Sequence, residues 1–481
     1  MAALIERSWK LVSKGIDFAF TAWRFRVHFP KKYGSSTSAA VLNLDDLIKR
    51  GLIENVFPNT RPEELQQLLS TPQGWYCGFD PTANSLHIGN LVSLVALIQG
   101  QRAGHSPVAV IGGATGLIGD PSGKTADRVP MKAEDVENNI ESLMENMERI
   151  FHNHAEYINE DTRKLTSHRI LNNHDWYREQ DVISFMSSTT RHFRLGEMIS
   201  RHSVQSRLQS KAGISLTEFM YQVFQAADWL HLLQHHNCSI QVGGNDQTGN
   251  ISSGFDLIHK VTGKYVFGLL VPLLLSPSGE KLGKSTGNSL WLDPNRTSPF
   301  ELYQFFVNLP DSTVERYLKL LTFLSLDEIE AVMLQQNQSP EHRHGQRQLA
   351  EQVTLLVHGE EGLRSALRCT EVLFGDAVSH LRQMALSDLQ QLFVNASTSD
   401  VTHDPQMTLQ ELCMAIGCFS RDGQKPAADA ERIIKAGGVY VNQGRVSDPS
   451  AVLASGDFIL PNNITLVRVG KKNYFIVRWV T

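Results

Sequence analysis

The chain has few cysteines and no pattern among them. Cys77, Cys238, Cys369, Cys413 and Cys418 are odd in number and scattered, with no CxxC pair. That argues against a disulfide framework and a zinc site, and for a reducing compartment. No apolar run approaches the ~18 residues of a membrane helix, so no span is expected. Charge of one sign is also missing. Lys plus Arg number 45 against 50 Asp plus Glu, a net of -5, so any nucleic-acid surface must be local. Two glycine–lysine loops, Gly119–Thr125 and Gly279–Ser285, have three residues between their glycines where a P-loop needs four, which disfavours an ordinary P-loop NTPase. No Ser-His-Asp or Cys-His set is present to supply a protein nucleophile. What remains is ordinary globular composition, 41% apolar and 20% charged, over 481 residues, enough for two to four domains.

Residues 1–40 differ from the rest. Arg7, Lys10, Lys14, Arg24, Arg26, Lys31 and Lys32 stand against only Glu6 and Asp17. On a helix, Ile5, Trp9, Val12, Ile16 and Phe20 share one face. This reads as an organelle-targeting presequence, the alternative being an amphipathic helix of the fold or of a membrane surface.

The stretch Trp75–Asn90, WYCGFDPTANSLHIGN, is the one around which the chain is organised. A short apolar strand ends at Asp80-Pro81, and His87-Ile-Gly-Asn90 opens a helix. A strand feeding a helix through a turn offers backbone N–H groups and a positive dipole end to a polyphosphate. His87 and Asn90 would add side-chain donors, and Gly89 would permit close approach. A helix start with a chance histidine is the plain alternative. Pro107–Ile111 is a second buried strand, so the two make a βαβ unit with its ligand at the strands' carboxyl ends. Residues 42–69 read as a helical lead-in. Residues 130–215, charged and rich in His and Asn, read as an insertion between two halves of the sheet. A helix at 218–234, strands at 238–242 and 266–275, and a glycine-rich loop at 276–289 complete this part. From Pro299 the pattern is helical. Residues 395–406 read as a polar linker, and a small α+β unit begins at Met407. The pairs His152/His154, His235/His236 and His342/His344 read as surface residues.

Within the helix 218–234, Tyr221, Gln225 and Asp228 fall at i, i+4 and i+7 on one face, either toward solvent or into a cleft. Gln241, Gly243, Gly244, Asp246 and Gln247 end a strand, where a plain turn also needs glycine. Lys281 and Lys284 lie on a Gly-bounded loop with Ser285. They read as a solvated loop or as ammonium groups that close over a polyphosphate in the transition state.

Taken together, YCGFDPTANSLHIGN, GGATGLIGDPSGK, the Tyr221-Gln225-Asp228 helix, QVGGNDQTGN and KLGKS resemble a class I aminoacyl-tRNA synthetase. The resemblance is to tyrosyl-tRNA synthetases of bacterial and mitochondrial type, from about residue 42 to the end. It implies a Rossmann-like parallel-sheet catalytic domain (41–298) with a dimerisation insertion at about 130–215. A helical anticodon-binding domain (299–394), the linker (395–406) and an S4-like RNA-binding domain (407–481) would come after it. The implied reaction is ATP-dependent attachment of L-tyrosine to tRNA through tyrosyl-adenylate, with Mg²⁺ accompanying ATP and no tightly bound cofactor or protein metal site. The implied partners are tyrosine, ATP, tRNA and a second copy of the chain, in the mitochondrial matrix.

By the same resemblance, Tyr76 and Asp228 hydrogen-bond the substrate phenol. Asp120, Tyr221 and Gln225 bind its ammonium group, and Gln241 orients it. Gly78, Asp80, Thr82, His87, Gly89, Asn90, Gly243, Asp246 and Gln247 surround the nucleotide, with the backbone at Leu273–Leu274 meeting adenine. Lys281, Lys284 and Ser285 close on the phosphates. Asn90 replaces the second histidine of the HIGH signature, Leu282-Gly283 replaces Met-Ser of KMSKS, and Thr248 stands where a bulkier residue is frequent. From Met407 on, nine Lys/Arg face six Asp/Glu. Arg421, Lys425, Arg432, Lys435, Arg445, Lys471 and Lys472 are the expected phosphate contacts, with a solvated basic surface as the alternative for each.

Overall fold

The computed structural model describes residues 44–122, 131–159, 165–211, 213–274, 289–374, 381–382, 384–392, 396–419, 427–453, 458–470 and 473–480. The presequence reading, Lys281, Lys284, Ser285, and Arg421, Lys425, Lys471 and Lys472 lie outside the described residues.

The strand Gly74–Phe79 (β2) is buried on both faces except at Gly78, as its unbroken apolar run requires. It runs parallel to β3 (Ser106–Ile111) on one side and to β5 (Cys238–Gly244) on the other. The sheet has the order β1-β6-β5-β2-β3-β4, with β6 at Phe267–Val271, β4 at Arg169–Asn172 and β1 at Asn55–Phe57. All neighbours are parallel except β1, which pairs antiparallel with β6. The strand order reverses between β2 and β5, which opens a crevice beyond their carboxyl ends. The helix α1 (Ile88–Arg102) is apolar almost all round and correspondingly buried between the sheet and the helices beyond it.

Two readings of the first half change. The lead-in at 42–69 is helical at Leu44–Lys49 and Pro62–Leu69 but carries the edge strand β1 between them. The stretch 130–215 begins with the long helix α2 (Ala133–Asn153) and then supplies β4, which pairs with β3, so part of it belongs to the sheet itself. The run Arg-Ile-Leu-Asn holds only two apolar residues, too short for periodicity to separate it from loop. His154, taken as a surface residue, is buried against Phe323, and burial pushes its imidazole down to about 3.

The helices α3 (Leu216–His236) and α4 (Thr248–Thr262) cover one face of the sheet, with Trp229, Ile251 and Ile258 buried beneath them. Next come α5 (Pro299–Val307), α6 (Asp311–Leu321), α7 (Leu326–Gln338) and α8 (His344–Phe374). Reciprocal Ser-Glu caps at Ser298/Glu301 and Ser325/Glu328 start two of them. Leu302, Phe306, Leu318 and Leu349 share one apolar cluster with Leu91 and Ile111, so these helices are continuous with the core of the parallel sheet.

A second sheet, β7-β11-β10-β8-β9, forms the C-terminal unit (β7 Ser397–Thr402, β8 Val439–Val441, β9 Gly444–Val446, β10 Ile464–Val469, β11 Asn473–Val480). The stretch read as a linker therefore contains a strand, pairing in parallel with β11 and carrying an ion pair from Asp400 to Arg478. Its side chains Ser-Thr-Ser-Asp-Val-Thr lack the apolar alternation that marks a strand, because this is an edge and only Val401 is buried. Leu381, Met384 and Leu389 pack with Leu460, Ile464 and Ile476, so the preceding helical segment shares a core with this sheet.

Candidate active site

At the carboxyl ends of β2 and β5 lies a cleft of about 290 Å³. β2 and the turn after it contribute Tyr76, Gly78, Asp80 and Thr82, and the start of α1 contributes His87, Gly89 and Asn90. Asp120 comes from the loop after β3. Tyr221, Gln225 and Asp228 come from one face of α3, which settles that face as turned into the cleft. Gln241, Gly243, Asp246 and Gln247 come from β5 and the turn after it, and Leu273 and Leu274 from the segment just after β6. All the site residues expected from sequence that are described line this one cavity.

Its deep end is built around Asp228, which is 5% exposed. Asn173 Nδ2 donates to Oδ2 at 3.0 Å, while Trp176 Nε1 and Tyr177 Oη donate to Oδ1 at 2.9 and 2.7 Å. Burial still dominates and pushes the carboxyl up to about 7 against the pull of those three donors. Tyr76, 2% exposed, faces the same space; burial and then the nearby Asp228 push its phenol well above the usual range, so it stays protonated. Its hydroxyl and Gln241 Oε1 are buried with no hydrogen-bond partner among the described residues. Such groups cost free energy until a ligand satisfies them.

Asn173, Trp176 and Tyr177 were not anticipated. They come just after β4, 51 to 55 residues from Asp228 in sequence. The only local signal was the tight cluster of Asn, His and aromatic residues, NNHDWY.

A second network holds the middle of the cleft. Tyr221 Oη donates to Asp80 Oδ2 at 2.9 Å, and Thr115 Oγ1 donates to Asp80 Oδ1 at 2.8 Å. Asn173 Nδ2 also reaches Thr115 Oγ1 at 3.0 Å, so Asp80 and Asp228 are joined through two side chains. A Cβ at Gly112 would collide with both Asp80 and Thr115, which explains that glycine. With its proton committed to Asp80, Tyr221 presents oxygen lone pairs to the cleft, suited to an ammonium donor. Asp120 accepts from Ser122 N at 2.9 Å and Gln247 Nε2 at 2.7 Å, and Asn250 Nδ2 lies 3.4 Å from it. Gln247, read as a nucleotide neighbour, is thus tied to Asp120. Asn250 was missed, although it sits three residues beyond Gln247 at helical spacing.

At the mouth, His87 and Asn90 form a reciprocal cap on α1. His87 Nδ1 accepts from Gly89 N at 3.1 Å, and Asn90 Oδ1 accepts from His87 N at 3.1 Å. Accepting through Nδ1 places the neutral ring's proton on Nε2, and Asn90 keeps its NH₂ as donor. Asn90 thus caps the helix at the position where the HIGH signature has its second histidine. Cys77 also lines the cleft, but burial pushes its thiol up to about 12, which leaves it unreactive.

This geometry meets its counterparts among known proteins. The family described as tRNA synthetases class I (W and Y) matches residues 70–375, and the S4 domain family matches residues 423–459. A protein named mitochondrial tyrosine–tRNA ligase from Drosophila melanogaster is 48% identical over 442 residues, 91% of this chain and 94% of that one. The chain belongs to the tyrosine–tRNA ligase family. Tyrosine–tRNA ligase from Geobacillus kaustophilus is 41% identical over 91% of this chain and 99% of its own. The solved structure of a C-terminally truncated Aspergillus nidulans mitochondrial tyrosyl-tRNA synthetase superposes with a TM-score of 0.63 at 32% identity, covering 71% of this chain and 95% of that one. The fold is accordingly the Rossmann-like α/β catalytic domain of class I synthetases with a C-terminal S4 RNA-binding domain. The reaction of tyrosine–tRNA ligases is ATP-dependent charging of tRNA with tyrosine.

In the S4 region, two residues expected to contact phosphate are already engaged. Arg445 donates to Gly437 O and Ala436 O at 2.9 and 3.0 Å, bracing the AGG turn after α10 (Ala427–Lys435; α9 is Leu409–Ala415). Lys435 pairs with Glu431 at 2.6 Å. Arg432 lies on α10. Arg468, not anticipated, places its guanidinium 4.0 Å over the Tyr440 ring and 6.0 Å from that of Tyr474.

Proposed function

We propose that the cleft binds L-tyrosine with its phenol between Tyr76 and Asp228, its ammonium on Asp120, Tyr221 and Gln225, and its backbone oriented by Gln241. The observation that carries this reading is the buried, unpartnered Tyr76 hydroxyl facing the same space as the oriented Asp228 carboxyl. One substrate hydroxyl satisfies both, donating to the carboxylate and accepting from Tyr76. Phenylalanine would leave them unpaired, at a discrimination of about 10⁴–10⁵, for which tyrosine-specific synthetases are themselves the standard example.

ATP lies across the mouth, with Gly78, Thr82, Gly89, Gly243 and Asp246 around it and adenine at the Leu273–Leu274 backbone. The tyrosine carboxylate attacks the α-phosphate, a new O–P bond forms, and pyrophosphate leaves. A ribose hydroxyl of the terminal tRNA adenosine then attacks the activated carbonyl and AMP leaves. His87 Nε2–H and the Asn90 NH₂ at the end of α1 stabilise charge that develops on the phosphates, as do Lys281, Lys284 and Ser285. Mg²⁺ would accompany the triphosphate, held largely by phosphate and water, and would partly neutralise its charge.

The reading extends to a homodimer through the 130–215 stretch. Val182 and Ile183 there are 69% and 72% exposed, and Met186 and Leu195 are also exposed, which is the apolar surface a partner copy would cover. It places 299–394 as the anticodon-binding domain, residues 1–40 as a transit peptide and the mitochondrial matrix as the site of action; the mitochondrial names of the Drosophila and human relatives support a mitochondrial location. ATP–pyrophosphate exchange with each aromatic amino acid tests the central claim. Exchange stimulated by tyrosine alone is the expected result, and stimulation by tryptophan or phenylalanine without tyrosine overturns it.

A further inference from the structure

Two rings stand behind Asp228 without lining the cleft, those of Trp176 and His231. His231 follows Asp228 by three residues, about one turn further along the same side of α3. Its imidazole stacks on the Trp176 indole, with ring centroids 4.5 Å apart and planes 17° from parallel. The same indole donates from Nε1 to Asp228 Oδ1 at 2.9 Å. Trp176 also packs against the apolar cluster that holds Tyr76 and Trp229. Asp228 and His231 thus sit on one helix, and the indole is laid against both.

An indole has a single donor, and that donor points in the plane of the ring. Whether Nε1 meets the carboxylate therefore depends on the tilt of the whole indole. A near-parallel stack on a second ring restricts that tilt. The geometry points to His231 as a positioning residue for tyrosine recognition: its ring holds the Trp176 indole where Nε1 reaches Asp228, and so holds the carboxylate in the orientation that accepts the substrate phenol. The proposal rests on the reading of Asp228 as the acceptor of the tyrosine hydroxyl. It gives His231 no contact with substrate.

The surroundings keep the ring neutral. His235 and His236 face it from α3, with ring centroids at 4.4 and 6.3 Å, and Arg169 Nη1 from β4 lies 2.7 Å from His236 Nδ1. Burial first, and then His235 and His236, push the His231 imidazole down to about 4. Asp228 is faced by Tyr76 from β2, Asp80 from the turn after it, Tyr177 from beyond β4 and Tyr221 from α3. Its carboxyl lies near 7, so His231 stays uncharged across the range in which Asp228 titrates. The Trp176 hydrogen bond is one of the influences that pull that carboxyl down. A loosened indole would let it rise.

The test follows tyrosine-dependent ATP–pyrophosphate exchange by the full chain as a function of pH. His231→Ala removes the ring. We expect tyrosine KM at neutral pH to rise about fivefold, with kcat within about twofold of wild type. The preference for tyrosine over phenylalanine in kcat/KM should fall by a similar factor, because phenylalanine offers Asp228 no hydroxyl. The midpoint of the rise in KM at low pH should move upward by about half a pH unit. His231→Phe keeps a stacking ring and should restore wild-type behaviour. His231→Leu fills the space without an aromatic face; it should match the alanine variant at near wild-type Tm and covers the case in which His231→Ala does not fold. Wild-type KM in the variants without a ring would overturn the proposal. So would a midpoint that moves downward, the mark of a ring that only keeps water from the carboxylate, or His231→Phe impaired as strongly as His231→Ala. Asp228→Asn, measured beside them, keeps the two readings apart. If it leaves the preference for tyrosine over phenylalanine intact, the assignment of the phenol end fails. If it removes that preference while the His231 variants match wild type, the role of His231 alone fails.

Discussion

Asn173 donates to Asp228 Oδ2 at 3.0 Å while its own carbonyl oxygen accepts from Ala114 N at 2.7 Å. The amide is thereby fixed in one orientation, and it turns Asp228 so that the carboxylate faces Tyr76 across the deep end of the cleft. Losing a hydrogen bond to a charged group costs about 1.5–3 kcal/mol. Asn173→Ala should therefore raise the tyrosine KM in pyrophosphate exchange by roughly tenfold or more, at about 1.4 kcal/mol per decade, with a smaller effect on kcat. An unchanged KM would show that Trp176 and Tyr177 suffice to hold the carboxylate.

The Asp228 carboxyl, pushed up to about 7, sets a pH dependence. The ionised form accepts the substrate phenol, so tyrosine KM should rise as pH falls below about 7, and Asp228→Asn should flatten that rise while relaxing rejection of phenylalanine. The sign for stability is opposite to that of a salt-bridged aspartate. The folded value lies above the ordinary 3.8, so the folded chain binds the proton more tightly and stability declines as pH rises from about 4 to about 7. The difference in Tm between Asp228→Asn and wild type should therefore shift in the variant's favour across that window, measured by calorimetry. A difference independent of pH would mean that the carboxyl titrates at its ordinary value.

His87 has two separable roles. His87→Asn retains a side-chain oxygen to cap α1 but loses the Nε2 donor. Removal of one transition-state donor costs about 10²–10³ in rate. Exchange kcat should drop on that order with tyrosine KM and Tm little changed. His87→Ala should add the loss of a helix cap, about 1 kcal/mol of stability. Equal Tm losses for both variants would count against the cap.

Lys284→Ala should lower the rate of adenylate formation and leave tyrosine affinity in equilibrium dialysis near wild type. A loss of tyrosine affinity instead would move the loop from the phosphates to the amino-acid end.

Ile183→Glu places a charge at the centre of the exposed apolar patch on Val182–Ser188. Sedimentation should show a dimer for the wild type and a monomer for the variant. A dimer retained at low micromolar concentration would exclude this patch as the interface.

Part of the site was legible because its residues sit at spacings that backbone geometry enforces, and the rest through the joint resemblance of its motifs to a known family. Tyr221, Gln225 and Asp228 share a face by the helical period, and the apolar spacing that follows His87–Asn90 marks a helix start. Alternation of strand, glycine turn and helix was enough for a parallel sheet with its ligand at the carboxyl ends. None of this needs long-range information. The rest does. That Asp228 is gripped by residues just after β4, that Tyr221 spends its proton on Asp80, and that Asp120 is held by Gln247 and Asn250 depend on which side chains meet after the sheet is assembled. Strands β1, β4 and β7 were invisible for the same reason: they are short or polar edge strands whose pairing, not their own pattern, makes them strands. The carboxyl of Asp228 near 7 was equally out of reach, since a sequence names the acid but only packing removes its water.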